Sequence, residues 1–143
     1  MSQFIGTSMR RGYAGDVSRG YFDHTIESRM TDGSVKSFGV PVKISGNKIA
    51  ATSAASDAVY GFVVRNYGQA DMAGVQDMAA VGVLRRGYIV VKPVGGTAAF
   101  GGNVYLDASG QITADSSSST AIPGAQFMGA ADADGLVEIA FNI

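Results

Sequence analysis

Between Phe22 and Met30 apolar and polar side chains alternate: Phe22, Ile26 and Met30 share one face with His24 and Ser28, and Asp23, Thr25, Glu27 and Arg29 share the other. Successive side chains of an extended chain point to opposite faces, so this period of two predicts a half-buried strand. Asp32-Gly33 follows, a dipeptide that readily takes the positive φ of a hairpin turn, and the expected return strand holds Phe38, Val40, Val42 and Ile44 in phase. Pro41 has no N–H to give to a ladder, which suggests an edge strand or a bulge there. Gly46-Asn47 closes this unit.

A small-residue loop from Ala50 to Asp57 leads into Val59–Val64, whose bulky, β-branched run predicts a strand buried on both faces. Residues 69–76 have no period and read as a loop with one helical turn. Strands at Met78–Leu84 and Tyr88–Val94 are expected to form a tight hairpin about Arg85-Arg86-Gly87. A glycine-bracketed loop from Gly95 to Gly102, a strand at Val104–Leu106 and a turn at Asp107–Gly110 come next. Ser116–Ser119 reads as a mobile surface loop or hairpin tip. The remainder reads as a strand from Gln126 to Ala130, a turn at Asp132–Gly135, and a strand from Leu136 to the last residue with Val137, Ile139, Phe141 and Ile143 pointing one way.

Many short strands with turn signals at regular spacing, and no long amphipathic run, predict an all-β fold: a single compact β-barrel or sandwich over residues 22–143. Residues 1–21 lack a period and are expected to form an extended N-terminal arm, able to reach roughly 65 Å when stretched.

Composition agrees with strands and turns. Among 143 residues there are 20 glycines, and charged residues make up 16%, where about 25% is usual. Long solvated helices need more Glu and Lys than that. A net charge of −1 offers no general attraction to phosphate backbones, so no nucleic-acid partner is expected. The absence of Cys removes disulfides and thiolate metal sites. No basic segment precedes an apolar run at the N-terminus, and no apolar stretch is long enough for a membrane helix; no membrane partner is expected, and synthesis as a soluble protein in the cytoplasm is.

Catalytic chemistry is hard to assemble from these residues. A nucleophile needs a base, and the single histidine, His24, lies on the apolar side of its strand, where a packing or interface role fits better. The ten Asp residues mostly sit beside Gly, Ala or Ser in predicted turns, where their side chains bond the local backbone. Asp132 and Asp134 flank one turn without the rest of a calcium loop. Gly95–Gly102 lacks the Gly-Lys-Ser or Gly-Lys-Thr of a phosphate cradle, and Arg85-Arg86 reads as a solvated hairpin tip rather than an anion site. No catalytic residue, cofactor or metal is expected, and the protein is not expected to be an enzyme.

The arm carries Arg10, Arg11, Tyr13, Arg19, Tyr21 and Phe22, the residue types enriched at interface hot spots, which makes it the candidate protein-binding site. The plain alternative is a frayed terminus.

Further residues carry a resemblance. They are Ile5-Gly6-Thr7 with Arg11 and Gly15-Asp16; Phe38-Gly39; Val83-Leu84-Arg85-Arg86-Gly87 with Ile89 and Val91; Gly102-Asn103-Val104-Tyr105 with Asp107 and Gly110; and Ile122-Pro123-Gly124-Ala125. In order and spacing the chain resembles the structural cement, or decoration, proteins of tailed-bacteriophage capsids. The resemblance implies a tulip-like β-barrel that binds the outside of the expanded head where major capsid protein subunits meet. It implies the major capsid protein and the chain itself as partners, usually as a homotrimer though a dimer stays open, on the virion exterior. Two rivals remain: a carbohydrate-binding β-sandwich using Tyr13, Tyr21, Tyr67 and Tyr88, and another virion part of the tail or baseplate. A hydrolase using two Asp residues is a weaker third.

Overall fold

The computed structural model describes residues 12–19, 24–65 and 80–143. They form ten strands and no helix: β1 (Val17–Arg19), β2 (Thr25–Met30), β3 (Pro41–Ser45), β4 (Lys48–Ala51), β5 (Gly61–Val64), β6 (Ala80–Val91), β7 (Asn103–Leu106), β8 (Ile112–Thr113), β9 (Thr120–Phe127) and β10 (Val137–Phe141). The all-β class read from the alternation is the observed one. One antiparallel sheet runs β4-β3-β5-β6-β10-β9-β7-β8, with β1 and β2 also paired to β6. Thr31 bridges Ile49, and the Asp32 amide donates to the Ile49 carbonyl at 3.1 Å. These contacts tie the end of β2 to β4, so the sheet curls upon itself.

The long β6 is the spine of the fold. Its first half lies between β2 and β5, with Ala80 opposite Met30 and Leu84 opposite Phe62. Its second half lies between β1 and β10, with Gly87 opposite Phe141 and Val91 opposite Val137. The expected hairpin at Arg85-Arg86-Gly87 is therefore a continuous strand. Thr25 faces Arg86 while Ile26 faces Leu84, which leaves Arg85 as the extra residue of a bulge. Gly87, at φ 136°, supplies a bend instead of a reversal. Each half finds strand partners on both sides, so its backbone groups are satisfied without turning back.

Other expectations are revised by the same non-local pairing. The β2–β3 hairpin does not exist: β2 pairs with β6, and β3 pairs with β4 and β5. The expected loop from Ala50 begins inside β4, and β9 starts at Thr120 rather than Gln126. The final strand stops at Phe141, because Asn142 takes φ 57° and its amide donates to the Gly124 carbonyl at 2.9 Å, leaving Ile143 exposed. On β2 the apolar side is the open one: Ile26 is 40% and Met30 49% exposed, and Glu27 is the half-buried residue.

Two hydrophobic clusters result. One joins Phe62, Leu84 and Ile89 to the inner faces of β7, β9 and β10; the other gathers Val35, Phe38, Val42, Ile49, Val63, Val81 and Val83. Adjacent residues Phe62 and Val63, both fully buried, enter different clusters, so β5 is covered on both faces as its unbroken apolar run predicts. Phe62 and Phe141 meet edge to face, with centroids 5.0 Å apart.

The N-terminal segment joins this core at Gly15. Its amide donates to the Val90 carbonyl at 2.8 Å, and its carbonyl accepts from the Arg65 amide at 2.9 Å. A Cβ at Gly15 would stand 2.8 Å from the Phe38 Cβ and 2.9 Å from the Arg65 nitrogen. Only a residue without a side chain fits.

Candidate binding surface

The described part of the chain carries its exposed chemistry as guanidinium groups on aromatic rings. Tyr13 sits on a turn closed by its own amide donating to Asp16 Oδ2 at 2.7 Å and by the Asp16 amide donating to the Tyr13 carbonyl at 3.1 Å. Its ring is 51% exposed and lies 5.3 Å from Arg65 Cζ, which is also 5.0 Å from the Phe38 ring. Arg65 Nε donates to the Ala14 carbonyl at 2.9 Å, so the turn and the cation hold each other.

A second cluster holds β1 to the sheet. Glu138, on β10, is buried, and its carboxylate accepts from Ser18 Oγ at 2.5 Å and from Arg19 Nε and Nη2 at 3.1 and 2.9 Å. Arg19 Cζ lies 4.4 Å from the centre of the Tyr88 ring. The hydrogen bond to Glu138 and then its charge hold the Arg19 guanidinium pKa above its ordinary value. With Arg19 on one face of Tyr88, that ring is not free to stack on a sugar there, which removes one platform of the carbohydrate reading.

The third cluster was not legible in the sequence. The Tyr60 hydroxyl donates to Glu27, whose carboxylate also accepts from Arg29 Nε and Nη2 at 3.2 and 3.1 Å. Arg85 Cζ lies 3.7 Å and Arg29 Cζ 5.6 Å from the Tyr60 ring centre. The Tyr60 hydrogen bond, ahead of the Arg29 contacts and the Arg85 charge, holds the Glu27 carboxyl below the ordinary range. Arg85 is thus a half-buried, stacked cation, not a solvated tip; Arg86 is exposed. The one signal available was a tyrosine at the mouth of a buried strand, and nothing in the sequence pairs it with Glu27.

Of the arm residues, Tyr13 and Arg19 join separate clusters, while Arg10, Arg11, Tyr21 and Phe22 lie outside the described residues, as does Tyr67. Most of the described Asp residues cap turns. Asp107 Oδ1 accepts from the Ser109 and Gln111 amides, both at 2.9 Å, and Asp132 Oδ1 from the Asp134 and Leu136 amides at 2.9 and 3.0 Å. Asp32, Asp57 and Asp115 accept from local amides in the same way. His24 Nδ1 is buried without a hydrogen-bond partner. Among the described residues no three His, Cys, Asp or Glu side chains gather as metal ligands.

An all-β domain that presents stacked arginines on a curled sheet is the class these features define. The profile of the structural cement protein family (E217 gp24/Pam3 gp6) matches residues 1–142. The chain belongs to that phage family, as its sequence resemblance implied, and its role is that of a structural protein associated with the capsid. Its fold is similar to that of a chain in the capsid of Myoviridae phage XM1: the TM-score is 0.79 at 16% identity, over 95% of this chain and 93% of that one. No curated protein matches.

Proposed function

We propose that the protein decorates the outside of the expanded head of a tailed phage, bound where major capsid protein subunits meet, and stabilises the shell without catalysing a reaction. The observation that carries this reading is the family match over residues 1–142. A ligand with affinity for the expanded lattice alone shifts the shell toward that state, and many copies on one closed surface add their effects without each binding tightly. In this reading the protein acts as a homotrimer and is made in the host cytoplasm. Arg10, Arg11, Tyr13, Arg19, Tyr21 and Phe22 then contact a neighbouring subunit or the capsid protein. The exposed Tyr13, on a turn fastened to the core, supports the arm as an anchor, because this one side chain is held in place before a partner arrives.

Cosedimentation with empty expanded heads of its own phage, stripped of the protein, tests both parts. The full chain is expected to bind and to raise the temperature at which the heads rupture. The full-length Arg10→Ala/Arg11→Ala/Tyr13→Ala protein is expected to bind weakly. Unchanged binding by that variant rejects the arm as the contact, and no binding by the unaltered protein rejects the decoration reading.

A further inference from the structure

Tyr60 stands between two grooves, each lined by cations. On one side a groove of about 380 Å³ is lined by Lys43, Asp57, Tyr60 and Arg85. On the other a groove of about 280 Å³ is lined by Arg29, Lys48 and Tyr60. Ile44, 64% exposed, lines both. The two carboxylates of this surface are already engaged, Glu27 by Arg29 and Asp57 by Lys43, each at 3.1 Å. Among the described residues Arg85 and Lys48 form no ion pair within 4 Å, and act only at longer range, Arg85 on Glu27 and Lys48 on Asp32. The surface therefore carries excess positive charge on a chain whose net charge is −1.

Arg85 is arranged before any partner arrives. It is the extra residue of the β6 bulge, its carbonyl accepts from Asn142 Nδ2 at 2.8 Å, and its guanidinium stacks on Tyr60 at 3.7 Å. Its Nε is buried and has no hydrogen-bond partner. A stacked, immobilised guanidinium loses little freedom on binding, and its planar fork of donors matches a carboxylate.

We propose that this surface receives an acidic segment of a partner chain, with a carboxylate on the Arg85 guanidinium and an apolar side chain against Ile44. Charge complementarity selects an acidic segment. A second copy of this chain is a poorer source of one, because most of its described side-chain carboxylates already cap turns or accept from arginine and lysine. The inference rests on the reading above only in taking the partner to be a protein of the head.

Two measurements on the full chain test it. With stripped heads, Arg85→Met is expected to attach about tenfold more weakly or worse, with Arg85→Lys between it and the unaltered protein. The thermal midpoint of Arg85→Met should fall by no more than a few degrees, since loss of the stack on Tyr60 is offset by removal of a buried donor that lacks an acceptor. Equal attachment by Arg85→Met overturns the proposal. Separately from heads, titration of the labelled protein with a peptide of alternating aspartate and leucine should shift the Arg85 Nε–H and Ile44 methyl resonances. Unmoved resonances overturn the proposal, as does an equal response to a single-stranded oligonucleotide, which would assign the surface to phosphates. If the peptide binds and the unaltered protein ignores heads, only the capsid reading falls.

Discussion

Replacing Gly15 by alanine tests whether the N-terminal segment is an integral part of the folded core. Gly15 has φ 91° and Gly33 has φ 92°, so alanine suffers the same backbone penalty at either site, about 1–2 kcal/mol. Their surroundings differ. A Cβ at Gly33 meets nothing within 4 Å, whereas at Gly15 it meets the Phe38 Cβ, the Arg65 nitrogen and the Gly39 nitrogen at 2.8, 2.9 and 3.0 Å. Two of these atoms are backbone and cannot rotate away. Relief requires moving the segment off the seam, which lengthens the bonds from Gly15 to Val90 and Arg65. Overpacking of this kind adds about 1–3 kcal/mol, giving a total of about 2–5 kcal/mol for Gly15→Ala against about 1–2 for Gly33→Ala. For a domain of this length each kcal/mol moves the thermal midpoint by ~3 °C, so Gly15→Ala should melt ~6–15 °C lower and Gly33→Ala ~3–6 °C lower. Urea unfolding of the two variants beside the unaltered chain measures the difference. Equal midpoints for the two alanine variants would refute the docking argument, because the backbone term alone would then account for both.

Phe62→Ala empties a fully buried site and its edge contact with Phe141, and should cost about 3–5 kcal/mol in the same unfolding assay. Glu138→Gln removes the charge that Arg19 pairs with; the half-exposed Arg19 limits the global loss to below about 1 kcal/mol, while amide exchange at Val17 and Ser18 should quicken and that of β10 should not. Glu27, Asp32 and Asp57 are held below the ordinary carboxyl range, by Tyr60, by Ser34 and by the Ser53 amide respectively as the leading causes. Their contribution to stability is therefore complete above about pH 5 and is lost as pH falls through the lowered folded values. Thermal midpoints should be level near neutrality and drop below about pH 4, with a shallower drop in Asp57→Asn. Tyr60→Phe should raise the Glu27 carboxyl toward its ordinary range in a nuclear magnetic resonance titration; an unmoved Glu27 would show that the hydroxyl is not its main support.

How much of this was legible varies with the range of the interaction. Val59–Val64 was readable because burial on both faces demands apolar side chains at successive positions, and Phe62 and Val63 meet that demand in separate clusters. The Asp turns were readable because a carboxylate two or four residues from the amide it accepts is a local event. Arg85-Arg86-Gly87 was misread because a glycine at positive φ serves a bend and a reversal equally well. The choice between them lies with β2, β5, β1 and β10, whose residues are far off in sequence. The apolar side of β2 was misread for a related reason: alternation assigns side chains to two faces and does not say which face the rest of the chain covers.

The amino-acid sequence by itself therefore determined the all-β class, the phase of its strands, the chemistry of its Asp turns and, through resemblance, its family. Tertiary structure alone decided that β6 is one bent strand shared by both halves of the sheet and that Gly15 seats the N-terminal segment in the core. It also brought Glu27, Tyr60 and Arg85 together from three strand regions. The reason is that period and turn propensity are properties of neighbouring residues, whereas strand partnership is set by the free energy of burying both faces of the whole sheet.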